Sequence, residues 1–106
     1  DQVTLQFFLN YVEFGMNIQE ALDAPTVFSN HFPSSFYPRK AYPGYVIADG
    51  RISQNVITEL QKRGHIIDNS EKWIGGKPMG IRLHQDKGII IGGASSKGNI
   101  GYAIGW

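Results

Sequence analysis

The spacing of apolar and polar positions divides the chain into a helical opening, a mixed middle and a β-rich end. Between residues 3 and 16, Leu5, Phe8, Leu9 and Val12 recur at i, i+3, i+4 and i+7, which is the spacing of one helical face. Phe7, Tyr11 and Phe14 add a second stripe. A helix apolar over most of its circumference is expected to be covered on more than one side. Gly15 stands where the periodicity stops and predicts a left-handed helix end. Asn17, with Glu20 three residues on, has the pattern of a capping box that starts a second helix. Pro25 keeps that helix short.

Thr26-Val27-Phe28-Ser29-Asn30 predicts a strand. Residues 31–43 hold Pro33, Pro38 and Pro43 with Ser34 and Ser35, and read as a loop. Tyr45-Val46-Ile47 predicts a short strand and Asp49-Gly50 a turn. A third helix is expected over residues 54–63. Ser53 would be its N-cap, Ile52 would staple onto Ile57, and Val56, Ile57 and Leu60 would form its apolar stripe. Glu59 and Arg63 make a favourable i,i+4 pair, and Gly64 ends the helix. His65-Ile66-Ile67 is the next expected strand, followed by a loop over residues 68–78. Met79, Ile81 and Leu83 then alternate with Gly80, Arg82 and His84. Gln85-Asp86-Lys87-Gly88 turns this strand into Ile89-Ile90-Ile91, a hairpin. After a loop over residues 92–99, residues 100–106 predict a last strand, with Ile100, Tyr102, Ile104 and Trp106 on one face and Gly101, Ala103 and Gly105 on the other. So bare a face is expected to be interior, with a close neighbour against it. No repeat, linker or low-complexity segment interrupts the chain, which reads as α+β and as one domain or part of one.

Composition narrows the possible functions. The net charge is +1 and no run of like charge exceeds a pair such as Arg39-Lys40, which excludes a phosphate-tracking face for nucleic acid and an acidic tail. Zero cysteines exclude disulfides, thiolate nucleophiles and Cys-based zinc sites. Apolar runs such as Phe7-Phe8-Leu9 are far too short for a helical membrane span. Charged residues are 18% of the chain, against about 25% in an average domain, a further sign of covered faces. The opening Asp1-Gln2-Val3 has neither an initiator Met nor a basic-then-apolar leader, so a processed chain or a fragment is expected.

Candidate chemistry is sparse. His31, His65 and His84 have no metal-motif spacing and are expected to be structural or surface groups. Residues 92–98 superficially resemble a phosphate loop, but lack the G-x-x-x-x-G-K-[ST] order and precede a strand, so a structural glycine loop is expected. Ser95-Ser96 is a pair of hydroxyls without a G-x-S-x-G elbow. Glu20 and Asp23 suit helix capping and helix-end electrostatics. The G-x-x-x-G of Gly101 and Gly105 lies in an expected strand, so it does not mark a membrane helix pair. Tyr37, Tyr42 and Tyr45 with Arg39 and Lys40 have the composition to grip a ligand or a base. Among prolines, they are expected instead to hold the loop against the body. These residues contain no complete active site, and no cofactor or metal set.

The order of motifs is more telling than any one of them. Leu5-Gln6, Leu9-Asn10, Phe14-Gly15-Met16-Asn17, Gln19-Glu20-Ala21 and Ala24-Pro25 together resemble the γ-glutamyltranspeptidase family, in which such a helix pair follows the catalytic glycines of the small subunit. Leu60 with Gly64-His65 resembles that family's next helix–strand junction. Gly92-Gly93-Ala94-Ser95 and Gly101-Tyr102 resemble its closing segment. The resemblance implies part of a four-layer αββα N-terminal-nucleophile hydrolase, built by a large and a small subunit from a precursor that cuts itself before a Thr. It implies that this Thr attacks a γ-glutamyl amide with its own α-amine as proton acceptor, while the amides of a Gly-Gly pair hold the oxyanion.

Asp1-Gln2 resembles the stretch just after that Gly-Gly pair. The nucleophile, the oxyanion glycines and the carboxylate-binding residues would therefore lie upstream, and Thr4 matches none of them. The resemblance carries no catalytic, cofactor or metal residue onto these positions. It implies instead that residues 1–106 are scaffold, with the upstream small-subunit segment and the large subunit as partners and a γ-glutamyl small molecule as substrate. Thr26 follows Ala24-Pro25 where the family usually has Arg, and Ala94-Ser95-Ser96-Lys97 replaces its Ala-Ser-Asp-Pro-Arg. These departures bear on the substrate more than on the fold. They leave open an acylase of the same fold, and a non-catalytic α+β module remains the reading from another class.

Overall fold

The computed structural model describes residues 1–98 and 101–105. In chain order the elements are α1 (Gln2–Val12), α2 (Ile18–Asp23), β1 (Val27–Ser29), β2 (Tyr45–Ala48), α3 (Gln54–Lys62), β3 (Ile66–Asp68), β4 (Met79–His84), a 3-10 turn (Gln85–Lys87) and β5 (Ile89–Ala94). They form two compact units. One comprises Asp1–Ala24 and the chain from Gly75 onward; the other is Pro25–Ile74.

In the first unit α1 ends at Val12, earlier than residue 16. The amides of Phe14 and Met16 turn back to the carbonyls of Leu9 (3.2 Å) and Asn10 (3.1 Å), in place of the regular ladder. Gly15 makes this possible at φ +68°, a conformation that costs a side chain with a Cβ. The capping box then starts α2 as expected: Glu20 N donates to Asn17 Oδ1 (2.9 Å) and Asn17 N donates to Glu20 Oε2 (3.0 Å). This start turns Ile18, Ala21 and Leu22 inward, where they are buried. Their floor is the antiparallel β4–β5 hairpin, in which Gly80 stands opposite Gly93. A Cβ on Gly80 would lie 2.7 Å from Phe7 Cζ, and one on Gly93 2.6 Å from Ile18 Cγ2. The helices therefore pack on bare backbone.

This close approach corrects the expected loop at residue 92. Gly92, Gly93 and Ala94 continue β5, paired with Ile81, Gly80 and Met79. Here glycine answers a packing demand rather than a turn. The last expected strand is also corrected. Residues 101–105 form no strand; Gly101 approaches Ala94, while Ala103 and Gly105 are exposed. No backbone ladder engages this segment among the described residues, and alternation alone does not make a strand without one. Asn99, Ile100 and Trp106 lie outside the described residues.

In the second unit β2 is central. It pairs antiparallel with β1 (Phe28 opposite Ile47) and parallel with β3 (Val46 opposite Ile67), with α3 as the crossover, the connection that parallel neighbours require. Ile57 is the buried anchor of α3. Ser53 occupies the N-cap but makes no side-chain cap bond, and Gly64 ends the helix at φ +96°. The Glu59–Arg63 pair forms at 3.3 Å between exposed side chains, so it is worth only a few tenths of a kcal/mol.

No residue of α1 is buried. Phe8 is 56% and Phe14 71% exposed, while Phe7 and Tyr11 are half-buried. The outer face of the hairpin likewise shows Met79, Ile81, Leu83 and Ile90 to solvent. No helix among the described residues is long and apolar enough to cross a membrane.

Two substitutions test this packing in the intact protein by chemical denaturation. Gly15→Val is expected to cost at least ~1 kcal/mol, because the position is open in space but left-handed. Gly93→Ala is expected to cost about 1–3 kcal/mol by overpacking the stiff Ile18 side chain. An unchanged midpoint for Gly93→Ala would contradict the close helix–hairpin approach.

Candidate functional site

The richest polar constellation lies where α2 meets the end of β5. The turn of α2 that buries Leu22 leaves Gln19 and Asp23, four residues apart, on its rim. Gln19 Nε2 donates to Asp23 Oδ2 and to the Ala94 carbonyl, both at 2.9 Å. Asp23 Oδ1 accepts from Ser96 N (2.9 Å) and Oδ2 from Ser96 Oγ (3.2 Å). Lys97, a buried residue, sends its ammonium to the carbonyl of Ala24 at 2.5 Å, and its amide donates to Ser95 Oγ at 3.1 Å. Ser95 N in turn donates to the Pro78 carbonyl. Residues 94–97 are thus tied to the C-terminal turn of α2 and to the start of β4.

The electrostatics are those of a tether. Partial burial pushes the Asp23 carboxyl up. Hydrogen bonds from Gln19 and from the Ser96 amide and hydroxyl, with the Lys97 charge, outweigh it and hold the carboxyl below the usual range. Both carboxylate oxygens are thus engaged by donors, the Ser96 amide and hydroxyl among them. Ser95 turns its oxygen to a backbone amide. Helix-end electrostatics was the expected role of Asp23; its grip on residues 94–97, 73 positions away, has no local signal in sequence.

A second cluster occupies the other unit. Asp49 is fully buried and accepts from Arg51 N (2.9 Å), Nε (3.0 Å) and Nη2 (2.8 Å). The guanidinium lies 3.7 Å from the centre of the Trp73 ring. Gly50 permits the tight fold, since a Cβ there would meet the Asn69 carbonyl at 2.9 Å. The expected Asp49-Gly50 turn is present, but the forked ion pair that holds it was missed; the Asp-x-Arg spacing is its only trace. A bidentate, stacked arginine has its donors spent locally. In the same unit Tyr45 Oη donates to Asp68 Oδ2 at 3.3 Å. Bonds from Ser70 lead in lowering the Asp68 carboxyl.

His31 Nδ1 accepts from Gly44 N at 3.0 Å and closes the base of the 31–43 loop, a structural role as expected. Among the described residues no group of three or more His, Cys, Asp or Glu could hold a metal ion. The aromatic loop departs from expectation. Tyr42 stacks at an angle on Tyr45, but Phe36 and Tyr37 are 81% and 94% exposed and hold nothing against the body. A groove of about 1060 Å³ runs along the outer hairpin face, lined by Met79, Ile81, Ile90, Tyr102 and Ile104 among others. Its walls are apolar and glycine-rich; they suit burial of another apolar surface, not proton transfer.

Each unit thus carries one polar clasp, and comparison with known proteins identifies the family. The family model described as Gamma-glutamyltranspeptidase matches residues 1–106, the whole chain. The chain belongs to the γ-glutamyltranspeptidase family. The solved structure of LmbA2991HD is 34% identical, with a TM-score of 0.90 over 99% of this chain and 19% of that one. An acivicin-inhibited gamma-glutamyltranspeptidase, whose C-terminus is given critical roles in autoprocessing and catalysis, is 22% identical with a TM-score of 0.70, covering 93% of this chain and 48% of that one. The cephalosporin acylase from Bacillus halodurans is 23% identical with a TM-score of 0.71, covering 90% and 16%. No match is found among the curated proteins. The chain thus spans about a fifth of LmbA2991HD and about half of the acivicin-inhibited transpeptidase chain. Its mixture of helix and strand is the α+β fold that the transpeptidase and acylase structures share over the matched residues.

The clasp can be tested by pH. Because the folded carboxyl of Asp23 is depressed, its contribution is fully present above the unfolded value near 4 and is lost as pH falls through the folded value. Asp23→Asn is expected to destabilise the intact protein by about 0.5–1.5 kcal/mol at pH 7, allowing for solvent screening. Urea titrations should show the gap to wild type closing towards pH 3. A gap that persists in acid would remove the charged clasp.

Proposed function

We propose that residues 1–106 are the C-terminal scaffold of the small subunit of a γ-glutamyltransferase/hydrolase. The observation that carries this reading is the family match along the entire chain. In this reading a Thr upstream of Asp1, freed by self-cleavage of a precursor, attacks the carbonyl of a γ-glutamyl amide. Its own α-amine takes the hydroxyl proton and returns it to the leaving amine. Amides of an upstream Gly-Gly pair hold the oxyanion of the tetrahedral intermediate. Water or an acceptor amine then takes the γ-glutamyl group from the acyl-enzyme. The residues here support that chemistry at one remove: α1, entering directly from the proposed oxyanion loop, is held by the Gly15 turn, the capping box and the glycine floor. The apolar surfaces of α1 and of the outer hairpin face fit a place inside a four-layer sandwich completed by the upstream segment and the large subunit.

A second reading is an acylase of the same fold acting on another amide. The departures at Thr26, Ser96 and Lys97 from the family's usual residues are what favour it, and the cephalosporin acylase shows that the same fold occurs in an acylase.

The test uses the intact protein and γ-glutamyl-p-nitroanilide. Two chains by intact mass, with release of nitroaniline that the purified 106-residue chain cannot support, are expected. Processing without γ-glutamyl turnover, but with cleavage of another acyl amide, would select the acylase. A single uncut polypeptide inactive on both would leave the non-catalytic module. Turnover by the 106-residue chain alone would overturn the scaffold assignment.

A further inference from the structure

One face of α1 meets the rest of its own unit. Its half-buried positions are Val3, Gln6, Phe7, Asn10 and Tyr11, which are spaced as a single helical stripe. Leu5, Phe8, Leu9 and Val12, the other stripe, are exposed. Two of the half-buried side chains are large aromatics, and each meets the inner face of β4. The tip of the Phe7 ring rests on Gly80, where an added Cβ would lie 2.7 Å from Cζ and 3.3 Å from Cε1. The Arg82 guanidinium lies 5.8 Å from the centre of the Tyr11 ring, within reach of a cation–π contact. The two spacings agree. Phe7 and Tyr11 stand about 6 Å apart along the helix, and Gly80 and Arg82 about 7 Å apart along one strand face. A one-residue slip of α1 along β4 would break both contacts, because Ile81, between them, points to the opposite face.

We propose that Phe7 and Arg82 are positioning residues: with Gly80 and Tyr11 they lock α1 in register on β4 and so fix where its first turn stands. The inference rests on the reading that an upstream Gly-Gly oxyanion loop leads into α1. Phe7 lies about 9 Å from Asp1 along the helix. A displacement at the Phe7–Gly80 contact is therefore carried to the first turn by less than two turns of stiff backbone. Oxyanion donors work by being aimed beforehand at developing charge, and a misplacement of about 1 Å can cost roughly 100-fold in rate. An interaction made only in the transition state is lost from kcat and leaves KM in place.

Steady-state kinetics of the intact protein on γ-glutamyl-p-nitroanilide test it. Gly80→Ala should lower kcat about tenfold, with KM changed by less than about twofold. Phe7→Leu, which shortens the side chain, should lower kcat as well. In the double variant Phe7→Leu/Gly80→Ala the added methyl fills the space that the ring tip leaves, so most of the loss should be recovered. Arg82→Gln should lower kcat several-fold, while Arg82→Lys, which keeps a cation for Tyr11, should spare it. Amide hydrogen exchange gives a second measure, independent of self-processing and turnover. Residues 2–7 should exchange faster in Gly80→Ala and return to the wild-type rate in the double variant. A lowered unfolding midpoint with unchanged kcat would overturn the proposal, and so would a loss of kcat that the double variant does not recover. Unchanged exchange in Gly80→Ala would overturn the register lock, whatever the turnover. Wild-type protein without γ-glutamyl turnover, but with the expected pattern of exchange, would overturn the parent reading and uphold the lock.

Discussion

The structure of the first unit depends on two glycines facing each other across a hairpin. Gly80 and Gly93 strip side chains from the inner centre of β4–β5, and Phe7, Ile18 and Leu22 fill the space. Dense packing of this kind tolerates little added volume. It sets where α2 lies, and hence where Gln19 and Asp23 emerge to hold residues 94–97. Even the extension of β5 through Gly92 and Gly93 follows from the same demand.

A second constraint is the surplus of apolar surface. Each exposed large side chain forgoes about 1.5–3 kcal/mol of available burial, and α1 together with the outer hairpin face carries several. The contrast with α3 is instructive. That helix buries Ile57 against its own sheet and shows mostly polar residues elsewhere, as a peripheral helix does. The first unit leaves large apolar side chains bare on α1 and on the outer hairpin face, and the second leaves Ile66 and the aromatics of its 31–43 loop bare.

Local signals were read well. Gly15, the Asn17–Glu20 box, Pro25 and the Gln85–Gly88 turn each act within a few residues, and each appears where its chemistry places it. The helix pair also carried the strongest resemblance to the family. Failures came where distant partners decide. Residues 92–94 look like a loop until Gly80 and the helices are set beside them. The alternation at 101–105 looks like a strand, but a strand needs a ladder. Asp23 looks like a helix-end charge until Ser96 arrives, and Asp49-Gly50 like a simple turn until Arg51 and Trp73 close on it. Active chemistry was not legible, because the histidines, hydroxyls and carboxylates of the sequence stand in no recognisable catalytic spacing.

The helix–hairpin unit is discontinuous in sequence: it is left at Ala24 and rejoined at Gly75. Close to both junctions the backbone is pinned, at Ala24 by the Lys97 ammonium and at Pro78 by the Ser95 amide. The two chain ends that border residues 25–74 are therefore secured by contacts within the frame, the helix–hairpin unit itself. Such an arrangement uncouples evolutionary drift in the insert from the alignment of the frame. A change of length within residues 25–74 removes neither of these bonds, since all of their partners belong to the frame.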